Sequence, residues 1–245
     1  MKTSLPLTRR EHRHQATREE IMEVARKHIA EQGAAALSLR EIARQMRLTA
    51  PALYRYFKDR DDLVTALIVT AFRSFADTLQ AARDRQPTDD YAGQFFAIAL
   101  AYRRWAYAHP QDYMLIFGTP IPNYKAPFEI TQPEAKRGMD VLIDALDAAD
   151  QAGRLKPGSV YAKPSPALQT QLCRWRKDFG YNASTTVLYL AVVSWSRLHG
   201  WLSLEIENHL EPFLGDTDEI YRSQIMELGK AYGIDMTSLA RKKKT

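Results

Sequence analysis

A group of arginine, tyrosine and lysine side chains between Ser38 and Leu63 has the chemistry needed to bind phosphate groups. The segment reads SLREIARQMRLTAPALYRYFKDRDDL. Leu53 and Phe57 are four residues apart, so a helix would turn both inward and leave the residues between them outward. That outward face consists of Ala50, Pro51, Tyr54, Arg55 and Lys58, with Tyr56 at its margin. Small residues at the start of a helix let its backbone approach base edges, and tyrosine and arginine hydrogen-bond to phosphate oxygens.

Capping patterns divide this segment into short helices that would position these side chains. Ser38 with Glu41 matches a capping box, and Thr49 is predicted to cap the next helix, with Pro51 in its first turn. A tight turn at 46–48 separates the two helices. The second helix is too short to be stable alone and must pack on its neighbours. This is the helix-turn-helix arrangement, in which the second helix enters the major groove of DNA.

Two longer helices flank the pair. The first is predicted to begin at Thr17, with Glu20 completing a capping box, and to end at Gly33. The other opens at Asp59, with Asp62 three residues later. Together the first three helices would form a compact domain over residues 15–62.

The segment resembles the TetR family of regulators, over residues 15–63. The family pattern has an Ile-Ala pair, a turn, and a short helix ending in Leu-Tyr-x-x-Phe with a following basic residue. The matching residues here are Ile42, Ala43, Leu53, Tyr54, Phe57 and Arg60. The resemblance implies DNA-backbone contacts from Arg40 and Tyr54, base-facing positions for Ala50 and Ala52, and phosphate contacts from Tyr56 and Arg60.

Arg47 stands at the turn position where the family usually has glycine. A non-glycine residue in the left-handed conformation costs about 1 kcal/mol. Either the turn differs, or Arg47 gains a phosphate contact that offsets this cost. The predicted DNA-contacting residues are Ser38, Arg40, Arg47, Thr49, Ala50, Pro51, Ala52, Tyr54, Arg55, Tyr56 and Arg60.

The charge distribution agrees with a polyanion-binding N-terminal segment. Residues 1–60 carry 13 basic and 7 acidic side chains, whereas the chain as a whole has a net charge of +5. Arg9, Arg10 and Arg13 precede the first predicted helix, and they are interpreted equally well as a flexible arm reaching DNA or as a disordered tail. The basic tail 241–244 is interpreted as a solvated end. A merely solvated basic segment would show the same charge bias.

The rest of the chain is predicted to be helical, without long alternating strand patterns. Helices are expected near 89–108, 110–117, 131–152, 165–179, 184–210 and 216–233. The predicted fold is therefore all-α: an N-terminal three-helix helix-turn-helix domain over 15–62, joined to a larger helical ligand-binding and dimerisation domain over 63–235.

The last two predicted helices carry the composition of a helix-bundle interface. The stretch from Trp195 to Glu205 and the loop 117–124 resemble the WHG-type C-terminal domain found in one branch of TetR regulators. In this family the final helices pair with their copies, which implies a homodimer through residues 184–233. Apolar stripes on both helices, including Val192, Ile225 and Tyr232, fit this interface, but they fit burial within one subunit as well.

The same resemblance implies that a small-molecule effector controls the regulator. Aromatic side chains with polar handles can line an apolar ligand pocket. The predicted ligand-binding residues are Tyr102, Trp105, Phe117, Met139 and Trp175. A packed core explains any one of them equally well, so the small-molecule effector rests on the family resemblance.

Other functional classes are weaker. The sequence contains no GxGxxG, Walker, HExxH or nucleophile-elbow motif, so we expect no enzyme, cofactor or metal site. An architectural DNA binder would not need so large and aromatic a body. The single cysteine, Cys173, suits a reducing cytoplasm, and the absence of a long apolar run predicts no membrane span. We expect a cytoplasmic transcription regulator that binds double-stranded operator DNA, and we interpret it as a repressor.

Overall fold

A computed structural model describes residues 8–162, 164–237 and 239. The predicted all-α fold is confirmed. The helices are α1 (Arg9–Gln32), α2 (Leu39–Gln45), α3 (Ala50–Tyr54), α4 (Arg60–Asp84), α5 (Tyr91–Ala108), α6 (Pro110–Phe117), α7 (Phe128–Gln151), α8 (Ser159–Ala162), α9 (Pro166–Asp178), α10 (Thr185–Ile206), α11 (Glu211–Leu214) and α12 (Asp218–Ala231), with a 3-10 turn at Ala34–Ala36. The basic tail 241–244 lies outside the described residues.

Helix α1 starts earlier than the sequence predicts. Thr8 is the N-cap: its backbone N–H donates to Glu11 Oε2 over 2.7 Å, and its hydroxyl accepts from the Glu11 backbone N–H. Hydrogen bonds from Thr8 lower the pKa of Glu11. Thr17 therefore lies inside α1, and the predicted start there is wrong. The helix begins at the Thr8 capping box, and it continues through Thr17 because no helix-breaking residue lies between the two threonines.

Caps near the short helices follow the sequence in part. Thr49 caps α3 as predicted, accepting from the Ala52 N–H at 3.3 Å, and Asp59 accepts from the Asp62 N–H at 2.8 Å. The predicted capping box at Ser38 is wrong, since Ser38 is the N-cap of α2 but makes no side-chain capping bond. Its expected partner Glu41 instead accepts from Arg44 at 2.9 Å.

Two compact units make up the chain. Unit 1 combines the residues up to Ala71 with Gln111–Gln132, and unit 2 combines Phe72–Pro110 with the chain from Pro133 onward. Unit 1 has a core of fully buried side chains: Ile21, Ile42, Leu53, Phe57 and Leu63. The division at 62/63 remains a prediction from the sequence.

The two chain segments of unit 1 are joined by buried polar contacts. Arg26 Nε donates to Asp112 Oδ1 at 3.1 Å, and the Asp112 residue is buried. The Thr65 hydroxyl lies 2.9 Å from the Tyr124 hydroxyl, and burial raises the pKa of Tyr124. Residues 111–132 are thus part of the same packed unit as the first three helices.

In unit 2, the distal part of α4 packs closely on α7. A Cβ on Gly138 would lie 2.5 Å from the Phe75 ring, so only glycine permits this approach. Arg73 Nη2 lies 2.7 Å from Glu134 Oε1, and Arg137 Nη2 lies 2.6 Å from Asp77 Oδ1. The hydrogen bond from Arg73 is the main reason that the pKa of Glu134 is lowered.

The start of α7 differs from the sequence prediction. The helix begins at Phe128, and the Thr131 N–H and hydroxyl both donate to the Pro127 carbonyl. Thr131, where the sequence predicts the helix to start, is therefore inside it, because the first turn is already closed on Pro127. Pro133 lies within α7, and the short helices α8 and α11 were not predicted.

Candidate nucleic-acid interface

Helix α3 presents the side chains that the sequence assigns to its outer face. Leu53 and the following Phe57 are fully buried and anchor the helix inward. Ala50 and Ala52 are half-buried, and Pro51 is exposed. Further polar groups with exposed side chains are Arg40, Arg47, Thr49, Tyr54, Arg55 and Lys58. The side chains at the start of the helix are small, and hydrogen-bond donors surround them. Reading of bases in the major groove requires a surface of this kind.

The turn between α2 and α3 contains the strained residue that the sequence points to. Arg47 has φ 54°, in the left-handed region. The Arg47 N–H donates to the Arg44 carbonyl at 3.2 Å, and the Leu48 N–H donates to the Ala43 carbonyl at 2.9 Å. These bonds close the end of α2 with the geometry that normally favours glycine. In the part of the chain that the structure describes, the exposed Arg47 side chain has no hydrogen-bond or ion-pair partner, so it can reach a phosphate.

A cleft of about 440 Å³ lies beside α3 and is lined by Leu37, Ser38, Leu39, Arg40, Tyr54, Lys58, Asp59 and Arg60. Four of these residues belong to the predicted DNA-contacting set. Arg60 is partly engaged inside the protein, since its Nη2 donates to the Ala34 carbonyl at 2.9 Å and its Nη1 to Asp61 at 3.3 Å. Among the described residues, neither the Arg40 nor the Lys58 side chain has a hydrogen-bond or ion-pair partner, so the cleft brings these two cations and the Tyr54 hydroxyl to one concave surface.

Tyr56 is fixed by α1, through contacts that the sequence did not predict. His14 stacks on the Tyr56 ring with centroids 4.6 Å apart and planes 27° apart. Arg18 Nη1 donates to the Tyr56 carbonyl at 3.0 Å, and its guanidinium lies 4.2 Å from the Phe57 ring centre. The spacing of His14 and Arg18, one helical turn apart, is the signal that could have placed them on one face of α1.

The predicted ligand-binding residues are divided between the units. Phe117 is in unit 1, where its ring lies 5.4 Å from Tyr113, whereas the other four are in unit 2. Tyr102 and Trp105 are buried against Phe75, with centroids 4.9 and 5.1 Å away. Met139 follows Gly138, which packs on the same ring. Trp175 is half-buried, edge-on to Phe179 and Tyr181.

His199, which lies in the stretch that resembles the WHG-type domain, joins Tyr102 in this group of aromatic side chains. His199 Nδ1 lies 2.6 Å from the Tyr102 hydroxyl, and the imidazole stacks on Trp195 at 4.9 Å. Burial lowers the pKa of His199, so the neutral imidazole is favoured. The Trp105 indole donates to the Ser74 hydroxyl at 3.0 Å. The rings around Phe75 are therefore largely apolar, with polar atoms paired at the Tyr102–His199 and Trp105–Ser74 contacts.

Comparison with known proteins gives the family. A model described as "Bacterial regulatory proteins, tetR family" matches residues 21–67, and one described as "Tetracyclin repressor-like, C-terminal domain" matches residues 95–228, more than half of the chain. The chain belongs to the TetR family. It is therefore a DNA-binding transcriptional regulator, and members of this class are not enzymes. The finer WHG-type resemblance remains a prediction.

Individual relatives agree with this assignment. The HTH-type transcriptional regulators Rv1816 of Mycobacterium tuberculosis and Mb1846 of Mycobacterium bovis are each 35% identical over 186 residues, 76% of this chain and 79% of theirs. The crystal structure of the regulatory protein SCO4313 is 39% identical, with a TM-score of 0.75, and the match covers 90% of this chain and 98% of that one. A tetR-family regulatory protein from Rhodococcus RHA1, at 15% identity and TM-score 0.61 over 89% and 97% of the two chains, shares the fold.

In this TetR-family chain, the two C-terminal stripes are buried differently. Tyr221, Ile225 and Tyr232 are fully buried within one subunit, so the α12 stripe packs inward. On α10, by contrast, a strip that includes Val192, Ser196 and Gly200 is exposed. Sequence periodicity alone could not separate these outcomes, because core and interface residues are chemically alike. Within the described residues, no helix has the length and hydropathy needed to cross a bilayer.

A buried ion pair ties three helices of unit 2 together beside a cleft of about 600 Å³. Arg103 Nε donates to Glu205 Oε2 at 2.9 Å, and its Nη1 donates to Asp218 at 2.8 Å. The Glu205 side chain is 1% exposed and also accepts from the Trp201 indole at 2.8 Å. This network was not predicted, since its members are about a hundred residues apart in the sequence.

Proposed function

We propose that this TetR-family regulator is a cytoplasmic homodimeric repressor, which occupies a palindromic operator and leaves it when a small apolar molecule binds. The exposed face of α3 carries the proposal: small residues at the helix start, with Arg40, Tyr54 and Lys58 around one cleft. Two such helices, one per subunit, would read half-sites about 34–36 Å apart.

Base reading is assigned to Ala50, Pro51 and Ala52, because their small side chains permit close approach. The remaining members of the predicted set, Ser38, Arg40, Arg47, Thr49, Tyr54, Arg55, Tyr56 and Arg60, are assigned to the DNA backbone. Phosphate contacts fix the register of a protein on the duplex, and groove contacts select the sequence.

Binding measurements with two variants test this assignment. Arg40→Gln removes a cation, so we expect weaker binding and a salt slope lower by about 1 for each lost contact. Tyr54→Phe removes only a hydroxyl, so we expect weaker binding with the slope unchanged. Fluorescence anisotropy with operator DNA, identified by genome-wide mapping, measures both. Binding by both variants that matches the wild type would contradict the assignment of α3.

The dimer is proposed to form through residues 184–233, with the exposed strip of α10 at its centre. The exposed residues Val192, Ser196 and Gly200 lie close together on the helical wheel, with the half-buried Ser203 beside them. Small side chains would let two copies of α10 approach closely. Ile225 and Tyr221 are fully buried within the subunit, so they are not available to this surface.

The effector is proposed to contact the aromatic cluster of unit 2. Tyr102, Trp105, Met139 and Trp175 stay in the proposed set, and Phe117 remains a prediction of the sequence alone. The buried rings with polar atoms at the Tyr102–His199 and Trp105–Ser74 contacts support a largely apolar ligand with a hydrogen-bonding group.

Thermodynamic reciprocity tests the release mechanism. A ligand that weakens DNA binding by about 1–3 kcal/mol must itself bind more weakly, by the same factor, when operator DNA is present. Tryptophan fluorescence can follow titration with compounds chosen from the chemistry encoded beside the mapped operator. Ligand affinity that is identical with and without operator would exclude induction, while leaving the DNA-binding assignment intact.

A further inference from the structure

The first two turns of α1 carry a basic face that the helix-turn-helix motif does not include. The helix begins at Arg9, where the Thr8–Glu11 capping box holds its end. At about 100° per residue, Arg9, Arg13, Arg10 and His14 fall within an arc of about 140°, and Glu11 lies outside it. The sequence alone left this segment open between a flexible arm and a disordered tail, but the structure makes it a helix.

Contacts with Tyr56 hold this basic face beside the DNA-reading surface. His14 belongs to the arc and stacks on the Tyr56 ring at 4.6 Å, and Arg18, one turn further on, donates to the Tyr56 carbonyl. Tyr56 lies two residues beyond the end of α3. The arginines of α1 therefore extend the surface of α3 along one side, rather than lying at a distance from it.

The arginine charges on this face have no ion-pair partner among the described residues. The Arg9, Arg10 and Arg13 side chains are exposed, and in the described part of the chain none of them has a hydrogen-bond or ion-pair partner. Other arginines of the same unit do have carboxylate partners, as Arg26 has Asp112 and Arg44 has Glu41. Three adjacent guanidinium groups repel one another, and a polyanion placed against them removes that repulsion.

We propose that the first two turns of α1 form a second DNA-backbone site, in which Arg9, Arg10 and Arg13 contact operator phosphates flanking the base pairs read by α3. His14 acts as a positioning residue, by stacking on Tyr56. The occupant is the phosphate backbone of duplex DNA, because a regular run of anions matches a row of cations carried on one face of a helix, so the contact adds affinity without sequence preference. This inference rests on the proposed function, since it needs α3 to face DNA.

The salt dependence of binding tests the proposal. The full-length triple variant Arg9→Gln/Arg10→Gln/Arg13→Gln is compared with the wild type and with Arg85→Gln/Arg104→Gln/Arg176→Gln, which removes the same charge from exposed positions of unit 2. The probes are a labelled operator duplex and a scrambled duplex of equal length. Since each phosphate contact contributes about 0.9 to the slope of log K against log salt, a dimer losing six contacts should lose about 5.

We expect the α1 triple variant to lower the slope and the affinity equally on both duplexes, and the unit 2 variant to change neither. An unchanged slope in the α1 variant, or an equal loss in the unit 2 variant, would overturn the inference. If Arg40→Gln still lowers the slope in that case, the proposed function stands. If the wild-type protein shows no preference for operator over scrambled duplex, the proposed function itself fails.

Stacking gives a second readout. His14→Ala removes the ring that packs on Tyr56, so we expect part of the slope and affinity to be lost. His14→Phe keeps an aromatic ring in place, so we expect binding to return toward the wild-type value. Circular dichroism at each salt concentration confirms that every variant is folded. Equal binding by the alanine and phenylalanine variants would overturn the positioning role of His14.

Discussion

At the scale of single residues, Arg47 combines backbone strain with an exposed charge. Among the described residues, non-glycine side chains with positive φ occur at Arg47, Asn123 and Asn208. Asparagine tolerates the left-handed region because its short side chain hydrogen-bonds locally, and arginine has no such compensation. The strained residue lies in the turn that sets α3, where strain is often kept because the site needs it.

Arg47→Gly should therefore stabilise the protein and weaken its binding to DNA. We expect the free energy of unfolding to rise by about 0.5–1 kcal/mol, because glycine adopts φ 54° without a Cβ clash. The salt slope of DNA binding should fall, since a cation is lost. Arg47→Lys is the matched control and should keep both the strain and the binding. Denaturant unfolding and anisotropy measure the two effects, and a less stable glycine variant would contradict the account of strain.

At the scale of helices, Arg103 of α5 connects α10 with the start of α12. Its partners Glu205 and Asp218 satisfy a guanidinium that is itself mostly buried, and Thr217 accepts a further bond at 3.3 Å. A buried ion pair adds little when compared with an apolar replacement, but removing one partner strands the other charge. The network therefore acts mainly to fix which ends of these helices meet.

Arg103→Met should lower the free energy of unfolding by about 3–5 kcal/mol, because Glu205 would remain buried and charged without its cation. The double variant Arg103→Met/Glu205→Gln should recover much of the loss, since the neutral amide can still accept from the Trp201 indole. Urea unfolding of both variants measures the difference. Equal destabilisation in the single and double variants would show that lost packing, rather than stranded charge, is responsible.

How far the sequence predicts this fold depends on whether the deciding contact is local. The orientation of α3 follows from Leu53 and Phe57, and both lie in the same short segment. The capping pattern at Thr17 misled the prediction because an equivalent box at Thr8 begins the helix first. Glu41 fits a local capping pattern as well, but Arg44 binds its carboxylate in the folded chain.

The same distinction separates the parts of the candidate site. Arg40 and Tyr54 could be placed from the motif, whereas the His14–Tyr56 stack joins residues that are far apart in sequence. The burial of Ile225 could not be predicted either, because an apolar stripe has the same spacing whether it packs within a subunit or against a partner. Such contacts become visible only when the helices are assembled.

At the scale of the whole molecule, the exposed strip of α10 offers a clean test of the proposed dimer. Gly200 is exposed and a Cβ there would meet no atom within 4 Å, so a side chain can leave this position without a Cβ clash inside the subunit. We expect Gly200→Glu to keep the thermal stability of the subunit while converting dimers to monomers, because it places two like charges in the interface. DNA affinity should fall together with the dimer.

Sedimentation velocity at micromolar concentration measures this change. Gly200→Ala is the control: it improves helix propensity by up to about 1 kcal/mol and is small enough to keep the interface. A Gly200→Glu protein that remains dimeric would place the subunit contact elsewhere.

The two-segment construction of unit 1 also has a consequence for how the protein is made. Asp112 and Tyr124, which bond to Arg26 and Thr65, follow Ala71 in the chain by dozens of residues. A ribosome adding about 5–20 residues per second needs several seconds to produce that stretch after the helix-turn-helix has emerged. The helix-turn-helix motif is therefore synthesised early, but its packing is complete only after residues 111–132 have been synthesised. Newly made chains should pass through an interval in which the DNA-reading helices exist without their full support.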